Sequence, residues 1–282
     1  MTLATSERLE NRARAAARVS GSSFYLAMRI LGREQREATF EIYAFCRAVD
    51  DIADSGAPRN WRLDRLAEWR EDIEKLYAGA PSEELDGLAS AVGRFALRKD
   101  DFLAVIDGME MDAAADLRAP DLATLDLYCD RVASAVGRLS VRVFGMDERD
   151  GAALAHHLGR ALQLTNILRD VDEDAAAGRL YIPAEMLRTA EVKIEEPARV
   201  VAQPRFGEAC TPVAELARSH FIRADAIMAR VPHRLVRAPL IMSEVYRQML
   251  EDMTARGWDF PRSRVHVGKA HLLWIALRHA FV

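Results

Sequence analysis

The sequence predicts an all-α protein, on three observations. Apolar residues recur at helical spacing along most of the chain, no segment sustains the alternation of a half-buried strand, and glycine and proline stand at the ends of the periodic runs. The functional signal lies in two of these runs, where acidic residues interrupt an otherwise apolar helix in matching fashion.

Residues 1–19 form a polar lead-in, followed by Ser20-Gly21-Ser22-Ser23 ahead of the apolar run 24–31. This serine-rich helix start offers both capping hydroxyls and free N–H groups that suit an anion. Gly32 ends that helix and residues 33–54 form the next, stopped by Gly56 and Pro58. Residues 59–77 read as an amphipathic helix with Trp61, Leu66, Trp69, Ile73 and Leu76 on its core face, closed by Gly79 and Pro81. Two helices follow at 82–98 and 100–115. A long one then runs from Pro120 to Phe144, its small residues Ala133, Ser134, Ala135 and Gly137 fitting close helix packing. After Gly145 and Asp147 comes a helix that carries the second acidic run and ends at Gly178. Residues 179–183 are extended, a brief helix starts at Ala184, and Pro197, Pro204 and Pro212 mark an irregular passage. Helices resume at 211–231 and 239–256, and a last one begins near Gly268.

With 282 residues, half of them hydrophobic, the chain can bury a large core, and no linker divides it, so residues 1–282 read as one domain. A net charge of −4 and the lack of a basic stripe with interleaved aromatics argue against nucleic acid as a partner. Cys46, Cys129 and Cys210 have no metal-ligand spacing, and the first two fit as small buried hydrophobes in helices, compatible with a reducing cytoplasm. The N-terminus has no apolar core run of a secretory signal, and no window approaches a membrane span. A cytoplasmic protein is expected, with room for peripheral contact at the inner membrane surface.

In the run from Tyr43 to Asp54, Arg47, Asp50, Asp51 and Asp54 fall within about 100° of arc on one helix face, with Tyr43 beside them. Ile42, Phe45, Cys46, Val49 and Ile52 fill the other faces. In the run from Gln163 to Asp174, Gln163, Asn166, Asp170 and Asp174 share a stripe on a helix otherwise built from Leu162, Leu164, Ile167, Leu168 and Val171. A single acidic run is ordinarily a solvated face. Two matching runs on apolar helices point instead to a shared polar cavity. Carboxylates about 6 Å apart repel by about 3 kcal/mol at an effective dielectric near 20, a cost relieved by protonation or by a cation. Carboxylate and amide oxygens with no His or Cys in the pattern suit a hard ion such as Mg²⁺, which keeps waters and shares substrate phosphates. Arg47 and Arg169 stand beside the acids, and a planar fork next to such a site suits a diphosphate.

Other chemistries lack their residues. No Gly-x-Gly occurs for a dinucleotide fingerprint, and no Gly-Lys-Ser/Thr for a P-loop. None of the seven histidines has Glu three residues before it, which excludes the di-iron carboxylate pattern.

The order and spacing of several motifs resemble the squalene and phytoene synthase family over nearly the whole length. They are Ser22-Ser23-Phe24-Tyr25; the Tyr-x-x-x-Arg-x-x-Asp-Asp-x-x-Asp run from Tyr43 to Asp54; Tyr128-Cys129 with Val136-Gly137; Gln163-x-x-Asn166-x-x-Arg169-Asp170-x-x-x-Asp174; and Arg179-x-Tyr181-Ile182-Pro183. The resemblance implies a single isoprenoid synthase domain, helices around a central cavity, that joins two molecules of farnesyl diphosphate head to head. It implies Mg²⁺ held by Asp50, Asp54, Asp170, Asp174 and Asn166, with Gln163 and Glu173 in support. Ser22, Arg47, Arg169 and Arg264 would contact diphosphate oxygens, with Arg262 as a second candidate beside Arg264. Phe24, Gln163 and Tyr181 would help bind substrate, and Tyr43, Tyr128 and Tyr246 would face the reacting carbons. The Tyr128 to Arg138 and Asp170 to Asp174 segments are most similar to the bacterial hopanoid-pathway branch that stops at presqualene diphosphate. Dehydrosqualene, squalene and phytoene synthases share the same machinery. A non-catalytic helical assembly subunit is the alternative of another class, and the intact acid, Asn and Arg pattern speaks against it.

Overall fold

The computed structural model describes residues 27–28, 30–115, 117–268, 271–272, 274–275 and 278. Helix α1 (Arg33–Ala53) buries Ala38, Thr39, Ile42, Phe45, Val49 and Ala53, a three-and-four spacing that gives one apolar face. Gly56, at φ 68°, turns the chain into α2 (Arg59–Tyr77), which buries Leu66, Trp69, Ile73 and Leu76. Trp61 does not join them. It precedes Leu66 by five residues, about 140° round the helix, and its residue is 46% exposed.

The helix expected over 82–98 is a short 3₁₀ turn, Glu83–Leu85, followed by α3 (Asp86–Phe95), which ends at Ala96 in the left-handed conformation. Next come α4 (Lys99–Ala115) and α5 (Leu122–Cys129), the latter capped by Asp121, whose side chain accepts from the Thr124 N–H at 2.7 Å. The expected continuous helix to Phe144 is interrupted by one wide π turn, Asp130–Ser134, before α6 (Ala135–Phe144).

Asp147 caps α7 (Glu148–Arg169), and the second acidic run does not lie on one helix as its spacing suggested. The chain leaves helical geometry at Asp170 (φ −99°, ψ 9°) and resumes in α8 (Val171–Ala176). The extended passage after Gly178 pairs at a single parallel bridge, Leu180 against Arg118. After α9 (Ala184–Thr189) and α10 (Pro197–Val200), two long helices, α11 (Phe206–Met228) and α12 (His233–Arg256), each start upstream of the proline read as a boundary. Pro212 and Pro239 sit inside them. An interior proline costs about 3 kcal/mol, here offset by the buried Phe206, Ala209 and Cys210 in the turn before Pro212, and by Val236 and Ala238 before Pro239.

Two apolar cores result. One lies around α7 and α11, with Leu164, Phe206, Val213 and Phe221; the other lies around α1, α2 and α4, where Phe45 meets Trp69 and Phe102 edge-on at 5.6 and 5.1 Å between ring centres. The π turn is seated between α4 and α7 by two glycines. A Cβ on Gly108 would fall 2.6 Å from Val132 Cγ1, and one on Gly159 would fall 2.7 Å from Ser134 Cα. Arg160, 4% exposed, secures the same turn from α7. It grips Asp126 with two bonds of 2.7 and 2.9 Å and donates to Asp130 at 3.1 Å and Ser134 at 3.0 Å.

These contacts predict opposite outcomes for two glycine-to-alanine changes. Gly159→Ala meets backbone atoms that cannot rotate away, so it should destabilise by about 2 kcal/mol despite its better helix propensity. Gly93→Ala, exposed in α3 with open space around it, should stabilise by up to about 1 kcal/mol. Denaturant titration of the two variants checks both signs.

Candidate active site

Between the two cores lies a cavity of about 650 Å³ with mostly apolar walls, among them Val105 and Met109 from α4, Val136 from α6, Leu158 and Leu162 from α7, and Met242 from α12. Its polar lining is assembled by helical spacing. Tyr43, Arg47 and Asp50 follow one face of α1, Gln163, Asn166 and Arg169 one face of α7, and Tyr246 closes the α12 side. Tyr128 also lines the cavity, while Asp54, Asp170, Asp174, Tyr181 and Arg264 do not. Ser22 and Phe24 lie outside the described residues.

The two acidic runs nevertheless share one electrostatic field. Burial pushes the Asp50 carboxyl up to about 6, opposed by Arg47 and reinforced by Asp54, Asp51 and Asp112. Asp174 rises to about 7, again chiefly by burial, opposed by Arg179 and reinforced by Asp170, Asp112 and Asp54. Asp112 links the two sets. It comes from α4, is 4% exposed, and is raised to about 6 by burial although it accepts hydrogen bonds from Tyr128 (2.8 Å) and Tyr181 (2.7 Å). Carboxylates raised on this scale are ones whose burial outweighs the arginines beside them.

The arginines divide into two kinds. Arg47 bonds Asp50 and Asp51, Arg169 bonds Asp170 through two nitrogens (2.8 Å for Nε), and Arg264 bonds Glu173 and, at 2.9 Å, Asp170. All three are partly exposed beside the acids. Arg262 is different: its side chain is 2% exposed and is tied to Asp172 and to the carbonyls of Trp258 (2.8 Å) and Val201 (2.9 Å). Of the two candidates at the C-terminal end, Arg264 is therefore the one beside Asp170.

Two residues of this site escaped the sequence reading by stripes. Asp112 lies on α4 among Asp101, Asp107 and Glu110, acids that engage Arg138 and Arg70 instead, so helical spacing does not single it out. Arg179, part of the Arg-x-Tyr-Ile-Pro motif, donates to Asp54 at 2.7 Å and spans the two acidic runs. Tyr181, a substrate-binding candidate, is stacked on Tyr128 (ring centres 5.0 Å apart, 19° between planes), with its hydroxyl on Asp112. Its extended segment is fixed at the Leu180 bridge to Arg118. Burial raises the Tyr43 and Tyr128 hydroxyls as well, so both remain protonated at neutral pH.

The donor set fits a hard divalent cation. Asn166 Oδ1 is buried and has no hydrogen-bond partner, an orphaned acceptor in a protein interior where such atoms are rare. The Asp50 carboxylate lines the same cavity. Among the described residues the acids of the two runs do not gather into a three-ligand cage, which suits an ion that keeps several waters and shares anionic oxygens of a ligand.

Protonation gives a signed prediction. Between its ordinary value of 3.8 and about 7, folded Asp174 holds a proton that the unfolded chain gives up, so raising the pH through that window costs stability, and the cost is complete above about 7. In metal-free protein, Asp174→Asn should raise the melting temperature at pH 8, an effect on the order of 2–4 kcal/mol, and the gain should shrink to less than half at pH 5. Thermal unfolding of both proteins at the two pH values checks it.

Comparison with known proteins identifies the family and the fold. The squalene/phytoene synthase family pattern matches residues 17–271. The chain is 56% identical to presqualene diphosphate synthases of Rhodopseudomonas palustris and of Sinorhizobium fredii, in each case over 262 residues, 93% of this chain and 94% of the relative. Its fold matches the crystal structure of a dehydrosqualene synthase in complex with ligand at a TM-score of 0.82, over 97% of this chain and 96% of that one, with 23% identity. The described helices thus form an all-α isoprenoid synthase fold, and the chain belongs to the squalene/phytoene synthase family.

Proposed function

We propose that this chain is a prenyltransferase that joins two molecules of farnesyl diphosphate head to head and releases presqualene diphosphate. The carrying observation is the apolar cavity whose polar lining brings together Arg47, Asp50, Asn166 and Arg169. Such a vessel suits a ligand with a long hydrocarbon body and a dianionic head. The 56% identity to proteins named presqualene diphosphate synthase supports the product.

In this reading Arg47, Arg169 and Arg264 exchange their present carboxylate partners for diphosphate oxygens, a swap of one planar anion for another that the guanidinium fork accommodates. Asp50, Asp54, Asn166, Asp170 and Asp174 would hold Mg²⁺, with Gln163 and Glu173 supporting them. Bound there, Mg²⁺ would draw charge onto the departing diphosphate. The C–O bond breaks, the pair of electrons leaves with the diphosphate, and an allylic cation remains among apolar walls that exclude water. Tyr43, Tyr128 and Tyr246 present electron-rich ring faces to that charge. The double bond of the second molecule supplies the pair for the new C–C bond, and loss of one proton to the released diphosphate closes the cyclopropane, leaving the second diphosphate in place. Asp112 acts through others, since it positions Tyr128 and Tyr181 by accepting from both hydroxyls. By the family resemblance Ser22 and Phe24 complete the substrate site. The long hydrocarbon body of the product gives a reason for peripheral contact with the inner membrane surface during release.

The test is incubation of purified protein with farnesyl diphosphate and Mg²⁺, with and without NADPH, followed by dephosphorylation and product analysis. Presqualene alcohol is expected in both samples and none after chelation of the metal. Squalene formed only with NADPH, or dehydrosqualene in either sample, would overturn the product assignment.

A further inference from the structure

Away from the cavity, three imidazoles from two helices converge. His156 and His157 are consecutive on α7, His220 comes from α11, and one ring nitrogen of each lies within 4.8 Å of the other two. The Nδ1 atoms of His157 and His220 are 3.0 Å apart, and the three ring centres are separated by 4.7, 5.2 and 5.9 Å. Among the described residues, no other group of three His, Cys, Asp or Glu ligand atoms meets this closely. Consecutive helical residues project about 100° apart, so His156 and His157 straddle a point on the flank of α7, and α11 brings its histidine to that point.

We propose that His156, His157 and His220 form a binding site for a divalent first-row transition ion of the Zn²⁺ class, separate from the acidic site. Three imidazoles with an open fourth position are a donor set that Zn²⁺ favours and Mg²⁺ does not. Two Zn–N bonds at a tetrahedral angle set their nitrogens about 3.3 Å apart, so the His157–His220 pair is within a few tenths of an ångström of ligating distance. Burial runs from exposed His156 through half-buried His157 to buried His220, which leaves an open side for the ion and a solvent ligand.

The electrostatics are mixed but workable. Burial holds all three imidazoles below their ordinary value, His220 at about 4, so they are neutral and able to ligate at physiological pH. Asp126 and Asp130 near His156 favour a cation, whereas Arg160 and Arg223 oppose one. Arg160 is already matched by its bonds to Asp126 and Asp130. A hydrogen bond between His157 and His220 would by itself satisfy the buried ring; it does not account for a third imidazole converging from the solvent side. An ion here would pin α7 to α11, within a few turns of Gln163, Asn166 and Arg169 on the same helix.

The experiment uses untagged protein in excess Mg²⁺, so that hard oxygen ligands are occupied, titrated with Co²⁺ and followed by visible absorption. One Co²⁺ per chain is expected, with the intense bands of a low-coordinate nitrogen site, displacement by Zn²⁺, and a melting temperature raised by several degrees. His156→Ala, at an exposed position, and His157→Asn should each weaken binding by about tenfold or more and leave Mg²⁺-dependent turnover unchanged. X-ray absorption of the unaltered Zn²⁺-loaded protein should show imidazole scattering. An oxygen-only shell, or Co²⁺ binding that survives both substitutions, would overturn the site.

Discussion

Carboxylates of like charge, drawn from three helices and held partly out of water, are the constraint to which the rest of this structure answers. Asp50 on α1, Asp112 on α4 and Asp174 on α8 are all raised into the range of about 6 to 7. Asp54 and Asp170 add to the same field. Repulsion of this kind is tolerable only if the helices bearing the acids are anchored by something else. The two apolar cores provide that anchor, with α1 in one and α7 in the other. The cavity between them is therefore a consequence of packing, and its polar lining a cost the packing carries.

The cationic side chains sort by how firmly they are engaged. Arg160 and Arg262 have side chains 5% and 2% exposed, and each is held by several partners. They brace the π turn and the segment after α12, and removing either would leave its carboxylate, hydroxyl and carbonyl partners unmatched. Arg47, Arg169 and Arg264 are more open and bond chiefly to acids of the site. Their partners are exchangeable, which suits groups proposed to receive an incoming anion. Mutual neutralisation of this second set also explains why a site so rich in acids does not push its helices apart.

Much of this was legible from the sequence, for identifiable reasons. Helix α2 was read with its observed ends because Pro58, Gly79 and a clean three-and-four spacing leave no alternative. Both acidic runs were legible because a charged stripe on an apolar helix contradicts ordinary amphipathicity. The break at Asp170 was not, since Asn166, Asp170 and Asp174 keep helical spacing in number while the backbone departs from it. Nor was the π turn at Asp130–Ser134, which depends on Gly108, Gly159 and Arg160 far along the chain. Pro212 and Pro239 misled because local rules treat proline as a boundary and give no weight to the buried residues that precede it. Asp112 and the three-histidine cluster depend on tertiary convergence alone, as does the contact of Tyr181 with Asp112.

If unmatched carboxylates are what the metal and diphosphate resolve, binding should expel protons. Calorimetric titration of Mg²⁺ with inorganic diphosphate, run at pH 6.5 in buffers of different ionisation enthalpy, counts them directly. Net proton release is expected at pH 6.5, shrinking toward none at pH 8.5, where Asp174 and Asp50 are already ionised, and it should be largely lost in Asp174→Asn. Binding without proton release at pH 6.5, or release that Asp174→Asn leaves intact, would contradict the carboxylate field as the basis of this site.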